Sequence, residues 1–128
     1  MKKTLLLSLI ATILLVSCKK DKENSIKGKW TVDNEVYKEY VNNALTSTTT
    51  SPGGGITVDF QENGNVVITN TGGGPVFSYP YTIKPDSKVE FDGDTYEIRN
   101  LTASSVTLFS REDWAPGEYD EYFTNLKR

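Results

Sequence analysis

The chain contains no histidine and a single cysteine, Cys18. Without histidine there can be no Ser-His or Cys-His nucleophile pair, and the common zinc sites lose their usual nitrogen ligands. With one cysteine, no disulfide can form within the chain, so stability has to come from a packed core. Basic residues are also few, 14 Lys and Arg against 17 Asp and Glu. No basic stripe recurs along the sequence, which argues against a nucleic-acid partner. Long apolar runs are scarce as well. The one present, Leu5 to Val16, has 12 residues, whereas a spanning helix needs roughly 20.

That run follows Met1-Lys2-Lys3 and ends at Ser17-Cys18. A basic start, an apolar middle and a small-residue close are the pattern of a secretory signal peptide. Leu15-Val16-Ser17-Cys18 resembles the lipobox of bacterial lipoproteins. The resemblance implies cleavage before Cys18 and attachment of acyl chains, palmitate among them, to that cysteine. It implies a place in the cell envelope, lipid-anchored at the outer membrane on its periplasmic face or at the cell surface. More than one chain would be needed, because a single acyl chain holds a protein only marginally.

Three segments are expected: a signal peptide over 1–17, the lipidated cysteine with a flexible tether over 18–25, and a β-barrel domain over 26–128. The tether reads KKDKENS after Cys18, charged and without period, as linkers do. Loss of residues 1–17 leaves 111 residues, and because Lys2 and Lys3 go with them the formal net charge becomes −5. That length suffices for one domain with its own core.

From Ile26 onward the pattern has period two. Ile56, Val58 and Phe60 alternate with Thr57 and Asp59, and Phe77, Tyr79, Tyr81 and Ile83 alternate with polar residues and Pro80. Tyr96 with Ile98, and Val106 with Leu108, continue it. Such runs mark strands with one buried face. Asn63-Gly64 and Asp92-Gly93 separate neighbouring runs and supply the positive φ angles of tight hairpins.

Residues 34–45 admit two readings. Val36, Tyr37, Tyr40, Val41, Ala44 and Leu45 have helical spacing, while the β-branched and aromatic content and Asn42-Asn43 favour two strands, 28–41 and 44–50. Pro80 inside a strand pattern predicts an edge position or a bulge. The low-complexity stretches Thr46–Gly55 and Thr71–Pro75 read as loops, and Gly117–Leu126 as a closing strand. The fold class is therefore all-β, an antiparallel meander of about eight strands closing into a small barrel, since closure removes unpaired edges.

Gly28-Lys29-Trp30 opens the meander. This G-x-W on a first strand resembles the lipocalins, and more closely the short lipocalin-like domains of bacterial lipoproteins. The resemblance implies that Trp30 plugs one end of the barrel, with an arginine from a late strand packed over it; Arg111 is the candidate. It also implies non-catalytic binding of a small apolar or amphipathic ligand in the barrel mouth, with loops 46–55 and 71–75 framing the entrance.

The residues themselves leave an alternative, a filled barrel that contacts a protein or a glycan. Small barrels have room for side chains or for one small ligand, and the chain holds 2 Trp, 7 Tyr and 5 Phe. Trp114, Tyr119 and Tyr122 lie near loops and are the candidates for partner contact. No catalytic residue, cofactor or metal ligand is assigned. Asp92, Asp94, Glu112, Asp113, Glu118, Asp120 and Glu121 are the available carboxylates, in positions typical of solvated surface. Asp92-Gly93-Asp94 fits a hairpin turn better than a calcium loop. The glycine triplets Gly53–Gly55 and Gly72–Gly74 lack the Lys-Ser/Thr of a phosphate loop and read as linkers or loop tips.

Overall fold

The computed structural model describes residues 25–128. The signal-peptide reading of 1–17 and most of the tether lie outside the described residues. Among the described residues the architecture is entirely antiparallel β, with no helix. The strands are β1 (Gly28–Val41), β2 (Ala44–Pro52), β3 (Ile56–Phe60), β4 (Asn65–Asn70), β5 (Phe77–Lys84), β6 (Lys88–Phe91), β7 (Asp94–Arg99), β8 (Ser105–Ala115) and β9 (Glu118–Lys127). β1 pairs with β3, the meander runs on through β9, and β9 pairs back onto β1. The result is a closed eight-stranded barrel, with β2 as one extra strand laid along the far half of β1.

Residues 34–45 form strands, not a helix. Asn42 and Asn43 turn the chain at φ 53° and 60°, which asparagine tolerates better than branched residues. Val36, Tyr37 and Tyr40 then pair on one side with Thr50, Thr49 and Leu45 and on the other with Phe123, Tyr122 and Tyr119. Two partners for an aromatic, β-branched strand outweigh a helical spacing that would have had nothing to pack on.

The stretch 46–55 departs from the loop reading. Thr46–Pro52 belongs to β2, because threonine suits a pleated surface and β1 supplies the ladder. Its glycines are more than a linker: Gly53 is buried, and its N–H donates to the Asp33 carbonyl at 3.1 Å. Pro80 sits neither on an edge strand nor at a bulge. It faces Asn65 where β5 passes from β4 to β6, and pairing with β6 starts only at Tyr81. Its missing N–H therefore falls where no acceptor strand lies opposite.

The barrel interior is filled at its centre. Trp30, Phe60, Val66, Val89 and Leu126 are each less than 2% exposed. Phe60 meets Tyr81 and Phe91 edge-on at 5.3 and 5.8 Å, and Phe91 stacks on Tyr96 at 4.8 Å. Offset and edge contacts of this kind stabilise beyond the area they bury.

Trp30 closes one end. Its Nε1 donates to the Ile26 carbonyl at 2.7 Å. The guanidinium over its ring, at 3.9 Å, belongs to Arg128 and not to Arg111. The register explains the correction: Thr31 pairs with Lys127, so the residue after β9 meets the start of β1. Arg111 lies opposite Glu121 at the other end of the molecule. Arg128 also donates to the carbonyls of Ser25, Lys27 and Ala103, tying three segments together over the tryptophan.

At the opposite end the barrel is open, because its strands differ in length. β1, β8 and β9 run past the others and, with β2, form a four-stranded projecting sheet. β7 pairs with β8 only through Glu97–Arg99, leaving Ser110–Ala115 without a partner on that side.

A Cβ on Gly53 would lie 1.8 Å from the Val32 carbonyl oxygen, so Gly53→Ala is expected to cost about 1–3 kcal/mol. Gly72→Ala, which meets only an Asn70 side-chain atom at 3.3 Å, should change stability by less than about 0.5 kcal/mol. Arg128→Met should lose about 1–2 kcal/mol through the ring contact and the carbonyl hydrogen bonds. Urea unfolding midpoints of the three variants check these orders.

Candidate functional site

The projecting sheet has two faces of different chemistry. Side chains alternate along a strand, and the register sorts them. Tyr37, Tyr122 and Ser110 share one row, and Glu39, Asp120 and Glu112 share the next. This face continues the barrel interior, since Leu108 and Leu126 of the same parity belong to the core. The other face carries Lys38, Glu121 and Arg111 in one row, with Tyr40, Tyr119 and Asp113 beyond it.

On the inner face Tyr37 and Tyr122 lie with ring centroids 5.1 Å apart. The Tyr37 hydroxyl donates to Glu39 Oε1 at 2.9 Å. Trp114 folds over this face from the irregular end of β8, where pairing slips between Asp113 and Ala115. Its Nε1 donates to Asp120 Oδ2 at 2.7 Å, which fixes the indole while leaving 62% of the residue exposed. An exposed tryptophan held in place by a buried carboxylate is preorganised for contact.

Beside this face, the gap between β7 and β8 forms a cleft of about 520 Å³. Asp94, Thr95 and Tyr96 line one wall, and Ser110, Glu112 and Tyr122 the other. Gly93 lies at the rim, at φ 78° after Asp92 at φ 53°. Asp92-Gly93-Asp94 is thus a hairpin turn. Among the described residues no group of three or more His, Cys, Asp or Glu is placed to hold a metal ion.

The phenols here are held neutral. Partial desolvation, then Glu39 and Asp120, push the Tyr37 hydroxyl well above the usual tyrosine range. Desolvation with Asp120, Glu112 and Glu39 raises Tyr122, and burial with Asp94 and Asp92 raises Tyr96. Each remains an O–H at neutral pH. The cleft therefore presents hydroxyl donors, carboxylate acceptors, ring faces and Arg111 together.

The outer face is occupied by its own contacts. Tyr119 stacks on Tyr40 at 4.5 Å and carries the Arg111 guanidinium at 3.6 Å, while Arg111 pairs with Asp113 at 2.7 Å. Lys38 lies 5.0 Å over Phe123, and Arg99 3.5 Å over Phe109. These pairs cover exposed rings with charged groups.

No family model, curated protein or solved structure matches this chain. What the open end can do is set by its side chains.

Of the three aromatics singled out in the sequence, Trp114 and Tyr122 both belong to the inner face, held by Asp120 and against Tyr37 respectively, and Tyr119 belongs to the outer packing. Among the carboxylates, Asp94, Glu112 and Asp120 reach the cleft or its rim, while Asp113 is engaged with Arg111. Tyr37, Glu39 and Ser110 were not anticipated. They become neighbours of Tyr122, Asp120 and Glu112 only through β1–β9 and β8–β9 pairing, which no local pattern announces. The 71–75 loop borders a separate small recess of about 210 Å³ formed by Ile56, Ile68, Pro75 and Phe77.

The raised phenols predict a pH response. In the unfolded chain a tyrosine ionises near pH 10, whereas Tyr37, Tyr96 and Tyr122 in the fold hold their protons longer. Their contribution is intact below about pH 10 and is lost as pH rises above it. Absorbance titration should show these phenols ionising above the ordinary range, with stability falling over the same interval. Tyr37→Phe should remove part of that alkaline loss.

Proposed function

We propose that the protein is an envelope lipoprotein, anchored through acyl chains on Cys18, whose barrel is a non-catalytic contact module for hydroxyl-rich ligands such as glycans. The observation that carries this reading is the contrast between the two parts of the barrel. Its centre is packed with Trp30, Phe60 and Phe91, whereas its open end offers a polar cleft beside an exposed, hydrogen-bonded tryptophan. Aromatic faces cover the apolar side of a sugar ring, and carboxylates and phenols satisfy its hydroxyls. An apolar cargo would desolvate Asp94 and Glu112 without offering them partners, which is costly.

The resemblance to short lipocalin-like domains supports the same architecture. Gly28-Lys29-Trp30 leads the first strand, and an arginine from the end of the last strand packs on the tryptophan. A second reading rests on the recess of Ile56, Ile68, Pro75 and Phe77, with Phe77 47% exposed. There the apolar end of a small amphipathic ligand would sit. The recess is below the roughly 300–1,000 Å³ of ordinary ligand pockets, so we place it second.

Two measurements test the proposal. The mass of the protein extracted from its own membrane should exceed that of chain 18–128 by its acyl groups, and Cys18→Ser should release it into the soluble fraction. Oligosaccharides titrated into the protein should shift the Trp114 indole and Tyr122 ring resonances, with Trp114→Ala weakening binding at least tenfold, about 1.4 kcal/mol. Shifts confined to Ile56, Ile68 and Phe77 on adding a fatty acid, with none from sugars, would reverse the order of the two readings.

A further inference from the structure

The charges are sorted along the barrel axis. The open end carries Glu112, Asp113, Glu118, Asp120 and Glu121 on the β8–β9 hairpin, opposed by Arg111. Asp92 and Asp94 stand at the neighbouring turn. The closed end is close to balance: Lys27, Lys84, Lys88, Arg99 and Arg128 stand with Glu62, Asp86, Glu90 and Glu97, and Lys27–Glu62, Lys84–Glu90 and Arg99–Glu97 are paired. The barrel is therefore an electrical dipole whose acidic end lies away from the entry of the chain at Ser25.

The closed end also has an apolar groove at the edge of the core, to which Ile26 belongs and against which Ile98 and Leu101 pack. Ile26, Ile83, Ile98 and Leu101 line a groove of about 550 Å³ beside Lys84 and Ser87. Ile83 is 47% exposed there, beside Lys84. An exposed apolar side chain next to a cation fits the boundary between anionic headgroups and acyl chains.

We infer that the closed end of the barrel docks on an anionic lipid surface, turning the acidic cleft toward solvent. The inference rests on the anchoring proposed above. Seven residue steps separate Cys18 from Ser25, and at 3.3–3.6 Å per residue they reach at most roughly 25 Å. The closed end is thus kept within reach of the surface that holds Cys18, and in the joining segment Lys19, Lys20 and Lys22 outnumber Asp21 and Glu23. Cations near such a surface are drawn to it. The acidic end is repelled by the same field, so attraction at one end and repulsion at the other select one orientation.

The test separates docking from acylation. Chain 18–128, whose strands, core and closure all lie within 26–128, is coupled through the Cys18 thiol to a maleimide phospholipid. The coupled protein is placed in vesicles of phosphatidylcholine alone or of phosphatidylcholine with one quarter phosphatidylglycerol. Docking predicts that amide exchange at residues 84–88 and 100–104 slows at least threefold on the anionic vesicles only, while residues 42–43 and 116–117 are unchanged. High salt should remove the effect, as should Lys84→Gln with Lys88→Gln, whose near-ultraviolet spectrum reports an intact fold. Equal exchange on both vesicle types, slowing at the open end, or slowing that survives the double substitution would each overturn the docking. An unacylated Cys18 in the native membrane defeats the anchor without altering these readouts.

Discussion

Backbone pairing between β1 and β9 joins the first strand of the barrel to the last, and nearly every other feature hangs on it. The ladder runs from Thr31–Lys127 to Tyr40–Tyr119, longer than any barrel pairing except β8 with β9. At one end it delivers Arg128 to Trp30. At the other it sets Tyr37 beside Tyr122 and Glu39 beside Asp120. Loss of this one ladder would expose two sheet edges, uncover the tryptophan and separate the groups that line the open end. Such long-range pairing is costly to reach in chain entropy, and it is sealed by Arg128 on the Trp30 ring and the Lys27 and Ser25 carbonyls, by Lys127 on Asp33 and by the Asn125–Asn34 hydrogen bond.

Unequal strand length is the second constraint. A barrel whose strands all ended together would present a plain rim of turns. Here β6 has 4 residues and β7 has 6, while β8 has 11 and β1 has 14. The surplus length carries the inner-face pattern of the barrel out past its own core. Residues that would have been buried become half-exposed, and tyrosine, serine and carboxylates replace leucine and valine in the same rows. The cleft is the space left where β7 stops pairing while β8 continues.

The two ends thus divide the labour. The closed end is held by a cation on an indole and by carbonyls that a lysine could not bridge simultaneously. It carries nearly balanced charge and the entry of the chain. The open end carries acid, phenols and an indole oriented by Asp120. For the tethered contact module proposed above this separation matters, because a ligand site facing the lipid would be closed off by the surface that anchors it.

Much of the fold was legible in the residues themselves. Period-two alternation located the strands, Asp92-Gly93 and Asn63-Gly64 located hairpins, and the spacing of turns implied a meander that closes. Local physics suffices for these, since pleat and turn geometry act over a few residues. Thr46–Pro52 was harder to read, because a threonine run becomes a strand only when a partner ladder is offered, and β1 offers it. The arginine on Trp30 was assigned to Arg111 when Arg128 holds the place, because cross-barrel register is invisible along the chain. Trp114 and Tyr122 could be singled out from sequence as aromatics near loops, but Tyr37, Glu39 and Ser110, which pair into the same end, could not. The sequence alone determined the alternation, the turns, the absence of histidine chemistry and the single thiol. Tertiary structure alone decided which rows of side chains meet, because a strand carries its faces with it but acquires its neighbours only on pairing.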